Sequence, residues 1–273
     1  MPRHITTLLL TLFTGAALAQ DFSYDGNRWY EVEVSIFSNA GEDGPNTETT
    51  VAENVKLRYP ARLRALHPAT AAFMIDFENP DVTDSIPAPS LPIGPEFSSA
   101  ANNFRLPDFS RDAFIALGPQ FHKFATYNRR LDNAVEHRLL YHATWRQPML
   151  DRSQTSAVFI RGGERYGAHN ELEGSLMFSF NVNRVDLEAR LWLSTFTPAK
   201  RSPALWDLPS QPFAAETTSV LQPEIFTVSD LAFLEQSRAM TRGTLHYLDH
   251  PDFGLLVEIR PYQLPALFNP EVQ

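Results

Sequence analysis

Apolar and polar residues alternate with period two in several separate stretches of this chain, and that period predicts extended strands with one buried face. From Arg28 to Phe37, RWYEVEVSIF sets Tyr30, Val32, Val34 and Ile36 on one side. Its β-branched and aromatic residues suit a pleated, half-buried surface. His137 to Gln147, HRLLYHATWRQ, reads as a second strand, and Val158 to Ile160 before Gly162-Gly163 as a short third. Glu171 to Phe196 reads as a hairpin. Leu172, Gly174, Leu176, Phe178 and Phe180 alternate with Glu171, Glu173, Ser175 and Ser179, and Asn181-Val182-Asn183 forms the turn. The return strand places Leu187, Ala189, Leu191 and Leu193 on one face and Glu188, Arg190 and Trp192 on the other. Glu171 and Glu173 then fall on the outward side, where charged residues normally face water. A last hairpin spans Arg238 to Tyr262: Thr244, His246 and Leu248 share one face, and Leu245, Tyr247 and Asp249 the other. Asp249, Pro251 and Gly254 supply its turn, and Phe253, Leu255, Val257 and Ile259 continue the alternation.

A different period follows Ser110, a potential N-cap. Phe114, Leu117, Phe121, Phe124 and Leu131 recur at helical spacing, with Pro119 inside the pattern, so the spacing predicts an amphipathic helix kinked or split near Gly118. Short helices are expected near Glu53 to Leu57 and Ala69 to Ile75, and a short helix or strand over Asp230 to Gln236. Two proline-bearing stretches, about 40–109 and 197–229, read as long irregular excursions over a core. No internal repeat is visible. The expected class is α+β: mainly antiparallel β-sheet built from hairpins, with one or two packed helices and long Pro-rich loops.

Residues 1–19 carry a basic start at Arg3, an apolar run from Ile5 to Leu18, and Ala17-Leu18-Ala19 before Gln20. That is the layout of a secretory signal peptide. The run is broken by Thr11, Thr14 and Gly15, short of the about 20 apolar residues of a membrane span. The expectation is a cleaved leader followed by one exported domain, 20–273, with no transmembrane segment. The chain of 273 residues has 0 cysteines, which excludes disulfides and thiolate chemistry, so the domain must rest on its core. Lys and Arg total 23 against 32 Asp and Glu, a net charge of −9, and −10 once Arg3 leaves with the leader. An acidic surface repels nucleic-acid phosphates and anionic lipid, so no nucleic-acid partner is expected.

Three clusters suggest chemistry. His246-x-x-Asp249-His250 has metal-ligating residue types, but on a strand the two histidines lie roughly 13 Å apart, so no metal or other cofactor is expected. Glu171 with Glu173, or Asp249 with Asp252, has the composition of a glycosidase pair. No Gly-x-Ser-x-Gly elbow or Ser-x-x-Lys motif is present, so no catalytic residue is assigned and the expectation is a protein that is not an enzyme. Tyr141 to Pro148, YHATWRQP, combines aromatic planes with planar hydrogen-bonding groups, which suits sugars and peptides. The candidate ligand-binding residues are Trp145, Arg146, Gln147, His246, Tyr247, Asp249 and His250, on strands taken to be neighbours. For Trp145 the competing reading is a place in the core.

Taken in order, RWYEVEVSIF, LLYHATWRQP, ELEGSLMFS with EARLWL, and GTLHYLDHPDFGLLVEI resemble the CsiV family of exported gammaproteobacterial proteins, over Arg28 to Tyr262. Asn183 to Leu187 and Thr244 depart from the family pattern. The resemblance implies a periplasmic, non-enzymatic protein that binds peptidoglycan and promotes wall synthesis. Its implied partners are an LpoA-type outer-membrane lipoprotein and the class A penicillin-binding protein that lipoprotein activates. It implies no particular glycan-contact residues.

Overall fold

A computed structural model describes residues 28–39, 55–68, 108–199, 206–213 and 226–265. The expected leader, most of both proline-bearing excursions and the expected helix at 69–75 lie outside them. In chain order the elements are β1 (Trp29–Asn39), β2 (Leu63–Arg64), β3 (His67–Pro68), β4 (Ile115–Ala116), α1 (Ala125–Asn133), β5 (His137–Pro148) and β6 (Ala157–Tyr166). They continue with β7 (His169–Asn181), β8 (Arg184–Pro198), β9 (Phe226–Met240), β10 (His246–His250) and β11 (Phe253–Tyr262). The described protein is thus mostly antiparallel β-structure with a single short α-helix.

Two sheets carry the fold, one in the order β10-β11-β1-β5 and the other β2-β6-β7-β8-β9. Apart from the short parallel pair β2–β6, every pairing within these two sheets is antiparallel. The period-two faces meet in one core. Tyr30, Val32, Val34 and Ile36 of β1 and Leu255, Val257 and Ile259 of β11 join Leu172, Leu176 and Phe178 of β7 and Leu187 and Leu191 of β8. The two sheets therefore pack face to face. β5 approaches β6, and β9 approaches β10, so each strand from β5 to β11 neighbours the next in sequence and β1 lies between β11 and β5.

The amphipathic pattern after Ser110 has another outcome. Its break falls where Pro119 predicts, with Pro119–Phe121 a 3-10 turn and α1 beginning at Ala125, but the half before Gly118 is not helical. The N–H groups of Phe114 and Leu117 donate to the carbonyls of Arg146 (2.8 Å) and Thr144 (2.7 Å), and Phe114 takes a positive φ of 62°. The edge of β5 offers unpaired carbonyls, and a strap satisfying them displaces a helix whose own hydrogen bonds would leave that edge open. Asp230 to Gln236 is strand, inside the fifteen-residue β9. Val55 to Leu57, where a short helix was expected to end, is irregular.

Gly174 is needed where it stands in β7. Its φ is +143°, a conformation that L side chains rarely adopt, and a Cβ there would run into the carbonyl oxygen of Arg190 on β8. Gly174→Ala is expected to lower stability by more than about 1 kcal/mol, read as a fall in the denaturant midpoint with an unchanged slope.

Candidate functional site

The alternation of β1 puts Glu31, Glu33 and Ser35 on the outer face of its sheet, opposite the core residues. The strap and α1 lie over them. Glu33 is fully buried and accepts four hydrogen bonds: from the N–H of Phe124 (2.7 Å) and of Lys123 (3.0 Å), from Arg260 Nη2 (2.8 Å) and from the His142 ring (3.2 Å). Phe124 is the N-cap of α1 and Lys123 the residue before it, so the carboxylate sits at the helix N-terminus, where the dipole favours negative charge. Burial pushes the Glu33 carboxyl up, but His142, Phe124, Arg260 and Lys123 together outweigh it and hold it down at about 2. Arg260 also reaches Glu31 (3.2 Å) and Glu258 (3.1 Å), and Glu31 accepts two hydrogen bonds from Arg146 (2.9 and 3.1 Å).

Arg146, a predicted binding residue, is therefore spoken for. It is buried, held over the Phe121 ring (4.9 Å) and the Tyr262 ring (4.0 Å), and donates to Phe109 O (3.0 Å). Trp145 and Gln147 point the other way, into the core, each with no exposed surface. The indole N–H donates to Gln147 Oε1 (2.8 Å) and the ring packs edge-on to Phe178 at 5.9 Å. The premise that the two candidate strands are neighbours is corrected by the sheet order. β5 and β10 occupy opposite edges, with β1 and β11 between them, about 14 Å apart at ~4.8 Å per strand.

On β10 the alternation holds as read. His246 and Leu248 are buried, while Leu245, Tyr247 and Asp249 are exposed. His246 Nε2 meets the Thr241 N–H at 2.9 Å, and His250 Nδ1 the Asp252 N–H at 3.2 Å, so each ring is engaged by its own local backbone. Burial lowers the pKa of His250, opposed by Asp252 and Asp249. Among the described residues no three His, Asp or Glu side chains converge on a point where they would hold a metal ion.

Tyr247 is the accessible ring, 42% exposed. It stacks in parallel against Phe37 of β1 at 6.2 Å, with an interplanar angle of 7°, and its hydroxyl donates to Asp249 Oδ1 at 2.5 Å. Gly254 lies between the rings: a Cβ there would come within 2.5 Å of Phe37 and 2.8 Å of Tyr247, so glycine is what lets them close over β11. Burial, with Asp249 beside it, pushes the phenol up to about 12. Chemically this is a flat plate with a carboxylate at its rim, a geometry suited to stacking on a sugar and accepting from its hydroxyls.

The glutamate pair of β7 separates in role. Glu171 pairs with Arg138 at 2.6 Å. Glu173 does not face water as its strand position suggested; it is fully buried and accepts from Tyr59 (3.0 Å), the Asn170 N–H (2.7 Å) and Gln211, with the His169 ring at 3.2 Å. Tyr59 and Gln211 lie 114 and 38 residues away. No local pattern signals such a cover.

The described residues thus form a packed β-sandwich whose charged networks are closed over by its own chain, with the Tyr247 ring left exposed. A family model matches residues 5–262, nearly the whole chain, and the protein belongs to the CsiV family, described as peptidoglycan-binding proteins. No curated protein and no solved structure matches it. Among the described residues no helix is long and apolar enough to cross a membrane.

Proposed function

We propose that this is a non-enzymatic peptidoglycan-binding protein of the periplasm, which promotes wall synthesis together with an LpoA-type lipoprotein and its class A penicillin-binding protein. The match to a peptidoglycan-binding family over 5–262 is the observation that carries the reading. The leader-like residues 1–19 support export. The enclosed state of Glu33 and Glu173 supports a binding role, since both carboxylates are saturated by protein donors. Of the seven candidate residues, Tyr247 and Asp249 are the ones exposed to a polymer, with His250 beside them. Trp145 and Gln147 serve the reading only from inside the core.

Tyr247→Ala is expected to weaken retention on purified sacculi severalfold while moving the thermal midpoint little, because a ring this exposed contributes mainly to contact with ligand. Equal retention of mutant and parent in a sedimentation assay would remove Tyr247 from the site. The lipoprotein part of the proposal is tested separately, by asking whether the purified lipoprotein raises sacculus retention.

A further inference from the structure

The end of the sandwich where β1 begins and β11 stops holds a groove of about 390 Å³. Tyr30, Pro261, Tyr262 and Leu264 supply its apolar lining, and Arg28 and Arg242 line it as well. Both arginines are oriented by uncharged groups. Arg28 sits over the Phe180 ring at 4.7 Å, and Arg242 reaches the Asn183 carbonyl at 3.4 Å with the Tyr30 ring 5.9 Å below it. Neither forms an ion pair with a carboxylate among the described residues. In a chain of net charge −9, two arginines on one apolar groove, with no carboxylate partner among the described residues, are a local reversal of sign.

The geometry points to a carboxylate-binding site at this groove that takes the stem peptides of peptidoglycan, which carry free carboxylates on a short, largely aliphatic backbone. Guanidinium groups match carboxylates through paired N–H donors, and the apolar lining suits alanyl and aliphatic portions between them. A polyphosphate or an anionic membrane is disfavoured, because the acidic remainder of the surface repels an extended anion while a short peptide meets only the groove. Arg242 is five residues from Tyr247, a reach of at most ~16 Å along the chain. Phe37 and Gly254 at the plate nonetheless stand eight residues along β1 and β11 from Trp29 and Tyr262 at the groove, about 26 Å at ~3.3 Å per residue, so plate and groove are separate contacts. The carboxylate site deepens the peptidoglycan reading and rests on it.

The test uses the mature protein and three probes: the free stem tetrapeptide, the same peptide with its carboxylates amidated, and glycan strands stripped of peptide by an amidase. The parent protein is expected to bind the free tetrapeptide, and Arg28→Gln with Arg242→Gln to weaken that binding at least tenfold. Amidation of the peptide should cause the same loss on the parent, with no mutation involved, and the stripped glycan should bind parent and variant alike. Equal tetrapeptide affinity of parent and variant, or indifference to amidation, overturns the carboxylate site even if intact sacculi are bound. Failure of the parent to bind intact sacculi, by contrast, strikes the peptidoglycan reading itself.

Discussion

Replacing Glu33 by alanine is expected to lower the unfolding free energy by ~3 to 5 kcal/mol, the usual result of removing one partner from a buried charge network. The loss has identifiable parts. Arg260 keeps Glu31 and Glu258 but loses its closest carboxylate, and the N–H groups of Lys123 and Phe124 lose their acceptor where α1 starts. The same contacts set an acid limit. The folded carboxyl is held at about 2, below its ordinary 4.5. A depressed carboxyl contributes stability that is complete above the ordinary value and lost as pH falls from there through the folded value. The contribution is on the order of 3 kcal/mol, and it should disappear between about pH 4.5 and pH 2. Glu33→Gln keeps the shape but has nothing to titrate, so its stability should fall less steeply across that window. Chemical denaturation at several pH values, comparing midpoints at constant slope, checks both statements.

Trp145→Ala is expected to be equally damaging for a different reason. The side chain has no exposed surface, packs against Phe178, and donates its only polar hydrogen to Gln147. Truncating a buried tryptophan costs about 3 to 5 kcal/mol through lost transfer energy and the cavity left behind, and Gln147 would keep a buried amide short of one partner. Set beside Tyr247→Ala, the contrast is diagnostic. The Trp145 variant should unfold at markedly lower denaturant and bind in proportion to its folded fraction, whereas the Tyr247 variant should stay folded and bind poorly.

Much of the sheet framework was legible because period two is a strong local signal wherever one face is buried. RWYEVEVSIF, the hairpin around Asn181-Val182-Asn183 and the final hairpin all form as their alternation requires. The stretch after Ser110 misled because apolar spacing reports which residues are covered, not which backbone donors are needed. There the carbonyls of Thr144 and Arg146 decided the matter. The candidate site was legible only in part. Alternation correctly separates exposed Tyr247 and Asp249 from buried His246, but it cannot say which face of β5 holds the core, nor that β1 and β11 stand between β5 and β10. The buried state of Glu33 and Glu173 depends on segments tens of residues away, and the groove at Arg28 and Arg242 joins residues 214 positions apart that no linear motif connects.

The central claim is that this scaffold holds peptidoglycan without cutting it. Incubating the purified mature protein with insoluble sacculi, then assaying both the pellet for protein and the supernatant for released muropeptides, tests that claim most directly. The account predicts protein in the pellet and no soluble fragments. Protein left in the supernatant at low salt, or fragments accumulating with time, would contradict it.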